Sequence, residues 1–274
     1  MSTIVSTFFA LFARELKTAM RTRVYYLITA GVIGLLLALT AGGGGAATGY
    51  VPTVVDLLLP LEVLVPVLAI AIGYRSVVSD LERGELAVLK TYDVPSSVYV
   101  FAIYAGRAVV LSVILGSGLL ATLLLVSFSS GPDTSIFATH TGLDSPLLFA
   151  RFIVLTLVFA LALLAIVLLM SVAAQSTLTA IALAVGAVVL VVVGGDAAII
   201  LGLTDGWIAE ADLLNALAIA PNSAYRGAVF ETVIAVTAAS ESGYGSPFAS
   251  VSGLFVWTIL SLILATLILH RRTV

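Results

Sequence analysis

The chain has no cysteine and only two histidines, His140 and His270. Disulfides, thiolate metal sites and cysteine nucleophiles are therefore excluded, and no paired-histidine zinc motif can be assembled. Neither histidine lies within an apolar run beside a serine, so a serine nucleophile inside the membrane has no base. Charge is scarce too: Asp, Glu, Lys and Arg make up 10% of 274 residues, and the formal net charge is −3. No phosphate-binding loop is present. The nearest stretch, Gly84-Glu85-Leu86-Ala87-Val88-Leu89-Lys90-Thr91, has Leu89 where such a loop needs its second glycine. Its backbone therefore cannot wrap a phosphate. The chain reads as a non-enzyme with no catalytic residue, no metal, no directly bound cofactor and no nucleic-acid partner.

What the sequence does have is apolar length. Hydrophobic residues make up 61% of it. Runs over 24–41, 54–74, 108–128, 152–174, 178–195 and 251–269 each approach the roughly 20 apolar residues needed to cross a bilayer's hydrocarbon core. The short alternating segments of a transmembrane barrel are absent. The expected fold is all-α: a polytopic integral membrane protein with six transmembrane helices in a single transmembrane domain, in contact with membrane lipid.

Lys and Arg are retained on the cytoplasmic side and so set orientation. Under a six-span count, ten of the twelve basic residues fall on one side and only Arg151 and Arg226 on the other. Asp133, Asp144, Asp205, Glu210, Asp212, Glu231 and Glu241 lie in the opposite loops. Both termini are expected in the cytoplasm and the chain in the plasma membrane. No run before residue 24 has the form of a cleavable signal.

Residues 3–22 alternate Phe8, Phe9, Leu11, Phe12, Leu16 and Met20 with Arg14, Glu15, Lys17 and Arg21. That pattern suits an amphipathic helix lying in the inner interface, or else an unstructured basic anchor. Span two carries Pro60 and Pro66, which predict a kink. A charged stretch over 77–92 follows, and Val78, Leu81, Leu86 and Leu89 give it one apolar edge. It reads as a cytoplasmic helix ending before Pro95, with a solvated loop as the alternative. Gly116-Ser117-Gly118 reads as small-residue helix packing. Residues 205–240 are too apolar for a plain loop. Leu213, Leu214 and Leu217 suggest one short helix ending before Pro221, and 224–239 a second. They form either a re-entrant pair or a surface cap.

Ionisable groups inside spans are costly, which makes Glu62 and Asp196 candidates. Glu62 sits between Pro60 and Pro66, about 12 Å along span two if the helix starts near Val54. Asp196 follows Gly194-Gly195 at the outer end of span five. Each either lines a polar path or serves packing, Glu62 as a hydrogen-bonded carboxyl and Asp196 as a helix end.

The segment Asp80-Leu81-Glu82-Arg83-Gly84-Glu85-Leu86-Ala87-Val88-Leu89 resembles the E-R-x-x-G-T-L-x-x-L stretch of type-2 ABC transporter permeases. Asp93 and Val94 intrude before Pro95, and Ser96-Ser97 stands where relatives carry a basic residue. Gly106-Arg107 stands where relatives tend to carry Gly-Lys. Ala220-Pro221-Asn222-Ser223-Ala224-Tyr225-Arg226 is similar to the outer stretch of the branch associated with nitrous oxide reductase maturation (NosY-like permeases). The resemblance spans the whole chain. It implies an N-terminal elbow helix, six spans, a coupling helix over 77–92 and an outer re-entrant pair before span six. It further implies two permease copies, two copies of a separate ATP-binding cassette ATPase carrying ATP and Mg, and room for an extracytoplasmic accessory protein. Coupling to the ATPase would fall to Asp80, Glu82, Arg83, Glu85, Leu86 and Lys90, with Leu81, Leu86 and Leu89 giving buried contact. The expected function is the permease of an ATP-driven exporter or mechanotransmitter. The alternative is a secondary transporter or channel working without ATP.

Overall fold

The structure is a computed structural model that describes residues 2–86, 91–92, 94–129, 144–209, 212–238 and 246–273. Six of its helices are long and apolar enough to cross a membrane, and no strand occurs among the described residues. The chain is an all-α polytopic membrane protein. Lys90, Leu89, Asp133, His140, Glu210 and Glu241 lie outside the described residues.

An amphipathic helix, α1 (Ser2–Arg21), comes first. Thr22 is extended, and this bend lets the chain turn into span one, α2 (Arg23–Gly43). Gly44 ends span one in the left-handed conformation, and the single turn α3 (Gly45–Thr48) leads to Gly49. Span two, α4 (Tyr50–Gly73), runs as one helix through Pro60 and Pro66. Its first main-chain N–H groups, on Tyr50 and Val51, donate to the Asp144 carboxylate at 2.6 and 3.0 Å. An anion from a distant loop thus satisfies the positive end of this helix. Gly49 has φ +128°, and a Cβ there would lie 2.2 Å from an Asp144 oxygen, so only glycine fits.

The helix expected over 77–92 is not continuous. A five-residue helix, α5 (Val78–Glu82), ends at Arg83, and Gly84 follows with φ +71°. Helical conformation resumes only at Glu85 and Leu86, and Thr91 and Tyr92 lie in a turn. The left-handed glycine breaks the run that the apolar spacing suggested.

Span three, α6 (Ser96–Ser129), and span four, α7 (Pro146–Ala173), are the longest helices after that point. Ser145 caps span four through the Leu147 N–H, and Pro146 opens its first turn. Span five is α8 (Thr177–Val189), a π-helical turn (Leu190–Gly194) and α9 (Gly195–Thr204). Two short helices follow, α10 (Leu213–Ile219) and α11 (Pro221–Val229), then a second π turn (Phe230–Ile234) and α12 (Ala235–Ala238). The second outer helix begins at Pro221 rather than Ala224, because proline suits a first helical turn. Span six is α13 (Pro247–Thr273).

Span four is the axis of the bundle. Buried residues make up 67% of its most apolar stretch, against 17% in spans one and five and 22% in span six. It packs chiefly against spans six and two. Lipid is as apolar as leucine, so fit rather than hydrophobicity holds such helices together. Gly73 admits Leu164 and Val167 of span four, and Gly118 admits Val32 and Leu36 of span one. Gly116 of the same expected packing stretch has open space beside it. α11 is embedded rather than laid on the surface: Asn222, Ala224, Tyr225, Ala228 and Val229 are all buried. The Tyr225 ring stacks on Phe159 of span four with centroids 4.7 Å apart, and its hydroxyl shares a hydrogen bond with Thr156 at 2.9 Å.

Candidate functional site

Two polar clusters stand out against the apolar bundle, one at the face that carries α1 and one in the opposite half.

At the α1 face, Asp80 of α5 is the centre. Its side chain is only 5% exposed. A carboxylate so buried needs partners, and it has three. Arg14 of α1 donates to Oδ2 at 2.7 Å, the Tyr99 hydroxyl to the same oxygen at 2.8 Å, and Arg83 to Oδ1 at 3.1 Å. Arg14 also reaches Glu85 at 3.1 Å, and Arg83 pairs with Glu85 at 3.3 Å. Glu15, the neighbour of Arg14, is itself buried and pairs with Arg107 of span three at 2.9 Å. Gly106 permits this approach, since a Cβ there would lie 2.6 Å from the Glu15 side chain. Burial works against the Arg14 charge, but the hydrogen bond to Asp80 and its negative charge outweigh it and push the guanidinium pKa above its ordinary value.

The same segment is tied to the connection between spans four and five. Ser171 Oγ accepts from the Val77 and Val78 N–H groups at 3.1 and 3.2 Å. Val78 packs with Ala174 and Ala180. Glu82 accepts from the Thr177 N–H at 2.6 Å and its hydroxyl at 2.7 Å, satisfying the first turn of span five. From the end of span six, Arg272 donates to the Ala174 carbonyl at 2.6 Å and to the Ala173 carbonyl, a cation at the negative end of span four.

Two of the residues expected to couple to an ATPase are turned inward in the chain itself. Asp80 is enclosed by α1 and span three. Leu86 is 8% exposed and packs among Leu11, Val77 and Tyr99. Among the described residues of the segment, the tip Leu81, Glu82, Arg83 and Gly84 is exposed, as are Thr91 and Tyr92. Nothing local in the sequence marks Arg14, Glu15, Tyr99, Ser171, Thr177 or Arg272 as partners in these contacts.

In the opposite half, the two carboxylates singled out from the sequence come together. Arg226 of α11 grips Glu62 through two nitrogens, at 2.8 and 2.5 Å. Glu62 is 9% exposed and Arg226 44%. Asn222, one turn earlier, donates its amide to Glu62 at 3.4 Å and to Asp196 at 3.1 Å. Ser223 donates to the other Asp196 oxygen at 2.6 Å. One helix thus clamps span two and span five. In span two, Pro66 has no N–H for the Glu62 main-chain carbonyl four residues before it. π turns, which often mark functional positions, flank the cluster just before Asp196 and after Arg226. Beside it, Gly194, Gly195, Ala220, Pro221 and Trp257 border an apolar cavity of about 420 Å³. The sequence marks Arg226 only as a cation that, with Glu231, interrupts the apolar stretch 224–239, and not as the partner of Glu62.

No group of His, Asp and Glu among the described residues has the arrangement of a metal site. The family model described as ABC-2 family transporter protein matches residues 9–274. No curated protein matches the chain.

Proposed function

We propose, from the premise that the chain belongs to the ABC-2 family of transporter proteins and is a membrane permease component of an ABC transporter, that a separate ATPase drives it through the tip of α5. Two permease copies and two ATPase copies would form the working unit, with ATP and Mg held by the ATPase. Both termini would lie in the cytoplasm of a plasma-membrane protein, as the ten basic residues on that side suggest. The output would be export, or transmission of force to an extracytoplasmic accessory protein. The Pro221 to Arg226 stretch supports a place in the branch associated with nitrous oxide reductase maturation.

The observation that carries the reading is the way α5 is fastened. Asp80 within it is bonded to α1, and Glu82 at its exposed tip is bonded to the turn between spans four and five, which Arg272 ties to span six. A push on Leu81 and Arg83 reaches four helices through short polar contacts. Leu81→Asp should leave the spans intact and reduce ATP-dependent transport at least tenfold, since an unpaired carboxylate forced into an apolar interface contact costs more than about 1.4 kcal/mol. Full transport in that variant, with the ATPase still attached, would remove the α5 tip from the coupling role.

The alternative, transport without ATP, draws on the Glu62 cluster, because charged groups within spans mark ion or substrate paths. Uptake into vesicles that contain the chain and no ATPase distinguishes the two.

A further inference from the structure

Span six turns one face to the hairpin formed by α10 and α11. Ser250, Gly253 and Trp257 follow one another at helical steps of three and four, so they share that face. The Trp257 indole N–H donates to the Ile219 carbonyl at 2.8 Å. Gly253 admits the Ala218 carbonyl, since a Cβ there would lie 2.1 Å from its oxygen. A Cβ on Gly227 of α11 would lie 3.5 Å from Ser250 Oγ. Ala218 and Ile219 end α10, where carbonyls have no partner within the helix. Trp257 lies ten residues beyond Pro247, the first of span six, which is about 15 Å along the helix. Tryptophan favours the ends of a span, so its place here points to the bond it makes.

Span five meets the same hairpin differently. Gly195 faces Ala220, and Asp196 accepts from Asn222 and Ser223. Beside these contacts lies the cavity of about 420 Å³, whose lining includes Val191, Ala198 and Ile199 of span five, Ala216 and Ile219 of α10, and Trp257. Atoms that border a void lack partners on that side, so parting this joint gives up less contact than parting the hairpin from span six. The hairpin is also held to span four by the Tyr225 ring and hydroxyl, and span four packs most extensively on span six. At its other end, span five receives Glu82 of α5 on the Thr177 N–H and hydroxyl.

We propose that spans four and six hold the α10–α11 hairpin as a fixed jaw, that Trp257 is the residue that positions it, and that span five is the moving jaw. With the drive entering at the α5 tip, as proposed for the ATPase, a push on Glu82 reaches span five at Thr177 and parts it from the hairpin between Gly195 and Ala220.

The chain has no native cysteine, so each joint can be locked by an engineered disulfide. A Cβ on Gly195 would lie 3.0 Å from the Ala220 Cβ, close to the roughly 3.5–4.5 Å of a disulfide. Gly227 and Ser250 are within similar reach. The readout is ATP turnover by the reconstituted complex with its ATPase, oxidised and then reduced. Gly227→Cys with Ser250→Cys should keep its turnover when oxidised. Gly195→Cys with Ala220→Cys should lose it, and reduction should restore it. Trp257→Phe keeps an aromatic ring but cannot donate. It frees the hairpin to follow span five, so in that background the second disulfide should no longer stop turnover. Loss of turnover in the first oxidised pair would overturn the proposal. So would full turnover in the second, or a second disulfide as effective in Trp257→Phe as in the wild-type background. Leu81→Asp separates the drive from the jaw: if the second disulfide still stops turnover in that variant, force enters elsewhere than the α5 tip and the jaw stands.

Discussion

Arg226→Met is the most informative single change. It removes both contacts to Glu62 and leaves that carboxylate, 9% exposed, with the Asn222 amide at 3.4 Å. Breaking a fully buried pair by removing one partner costs about 3–5 kcal/mol, while exposed pairs are worth about 0–1 kcal/mol. Arg226 is 44% exposed, so water reaches it and the cost should fall between those limits, at about 2–3 kcal/mol. For a chain of this size each kcal/mol moves the unfolding midpoint by about 2–4 °C, which predicts a drop of roughly 4–12 °C in detergent. Glu62→Gln should cost less, about 1 kcal/mol, because the remaining guanidinium can still be hydrated. In the double variant no buried charge is stranded. Its cost should therefore fall short of the sum of the singles by about 1–2 kcal/mol. Additivity within about 0.5 kcal/mol would show that the pair seen in the structure carries no energy, and the clamp would have to be abandoned. Transport per folded molecule supplies a second reading. If the clamp closes a path, Arg226→Met should leak without ATP.

Leu86→Asp should lower expression or unfold the α1 face by about 2–4 kcal/mol, since it puts a charge into the Leu11–Tyr99 cluster; a stable but uncoupled variant would contradict its burial. Gly49→Ala should destabilise the start of span two by about 1–3 kcal/mol, because a Cβ would meet Asp144 at 2.2 Å with φ at +128°, whereas Gly116→Ala should be silent in the same melting assay. In a chain without native cysteine, a Cys at 83 or 272 should label only from the cytoplasm and one at 207 only from outside. External labelling at 272 would refute the proposed orientation.

The spans were legible because lipid leaves the chain no alternative: about 20 apolar residues must run together, and each run recurs as a helix. Glu62 and Asp196 were legible for the converse reason, as carboxylates where charge is expensive. Their partner was not, since Glu62 and Arg226 are 164 residues apart and nothing local links them. The same holds for Arg14 and Asp80, 66 residues apart. At α5 local reasoning misled. The spacing of Val78, Leu81, Leu86 and Leu89 suits one helix, but Gly84 takes a left-handed conformation and turns Leu86 inward. Apolar spacing reports that a residue is buried; it does not say whether against its own chain or a partner.

The π turn at Leu190–Gly194 has a geometric consequence for the clamp. A π turn holds about one residue more than an α turn, so the helix beyond it is phased by roughly 100° relative to an unbroken α-helix. Asp196 faces Asn222 and Ser223 only in that phase. If the turn tightened to α geometry, the carboxylate would swing like a key in its ward, releasing span five from α11 with no helix unfolded and no span withdrawn from the membrane. Deleting Val193 removes the extra residue, so the turn becomes α-helical with Asp196 held in its present phase, and it should yield an inserted protein whose span five can no longer come free of the clamp in this way.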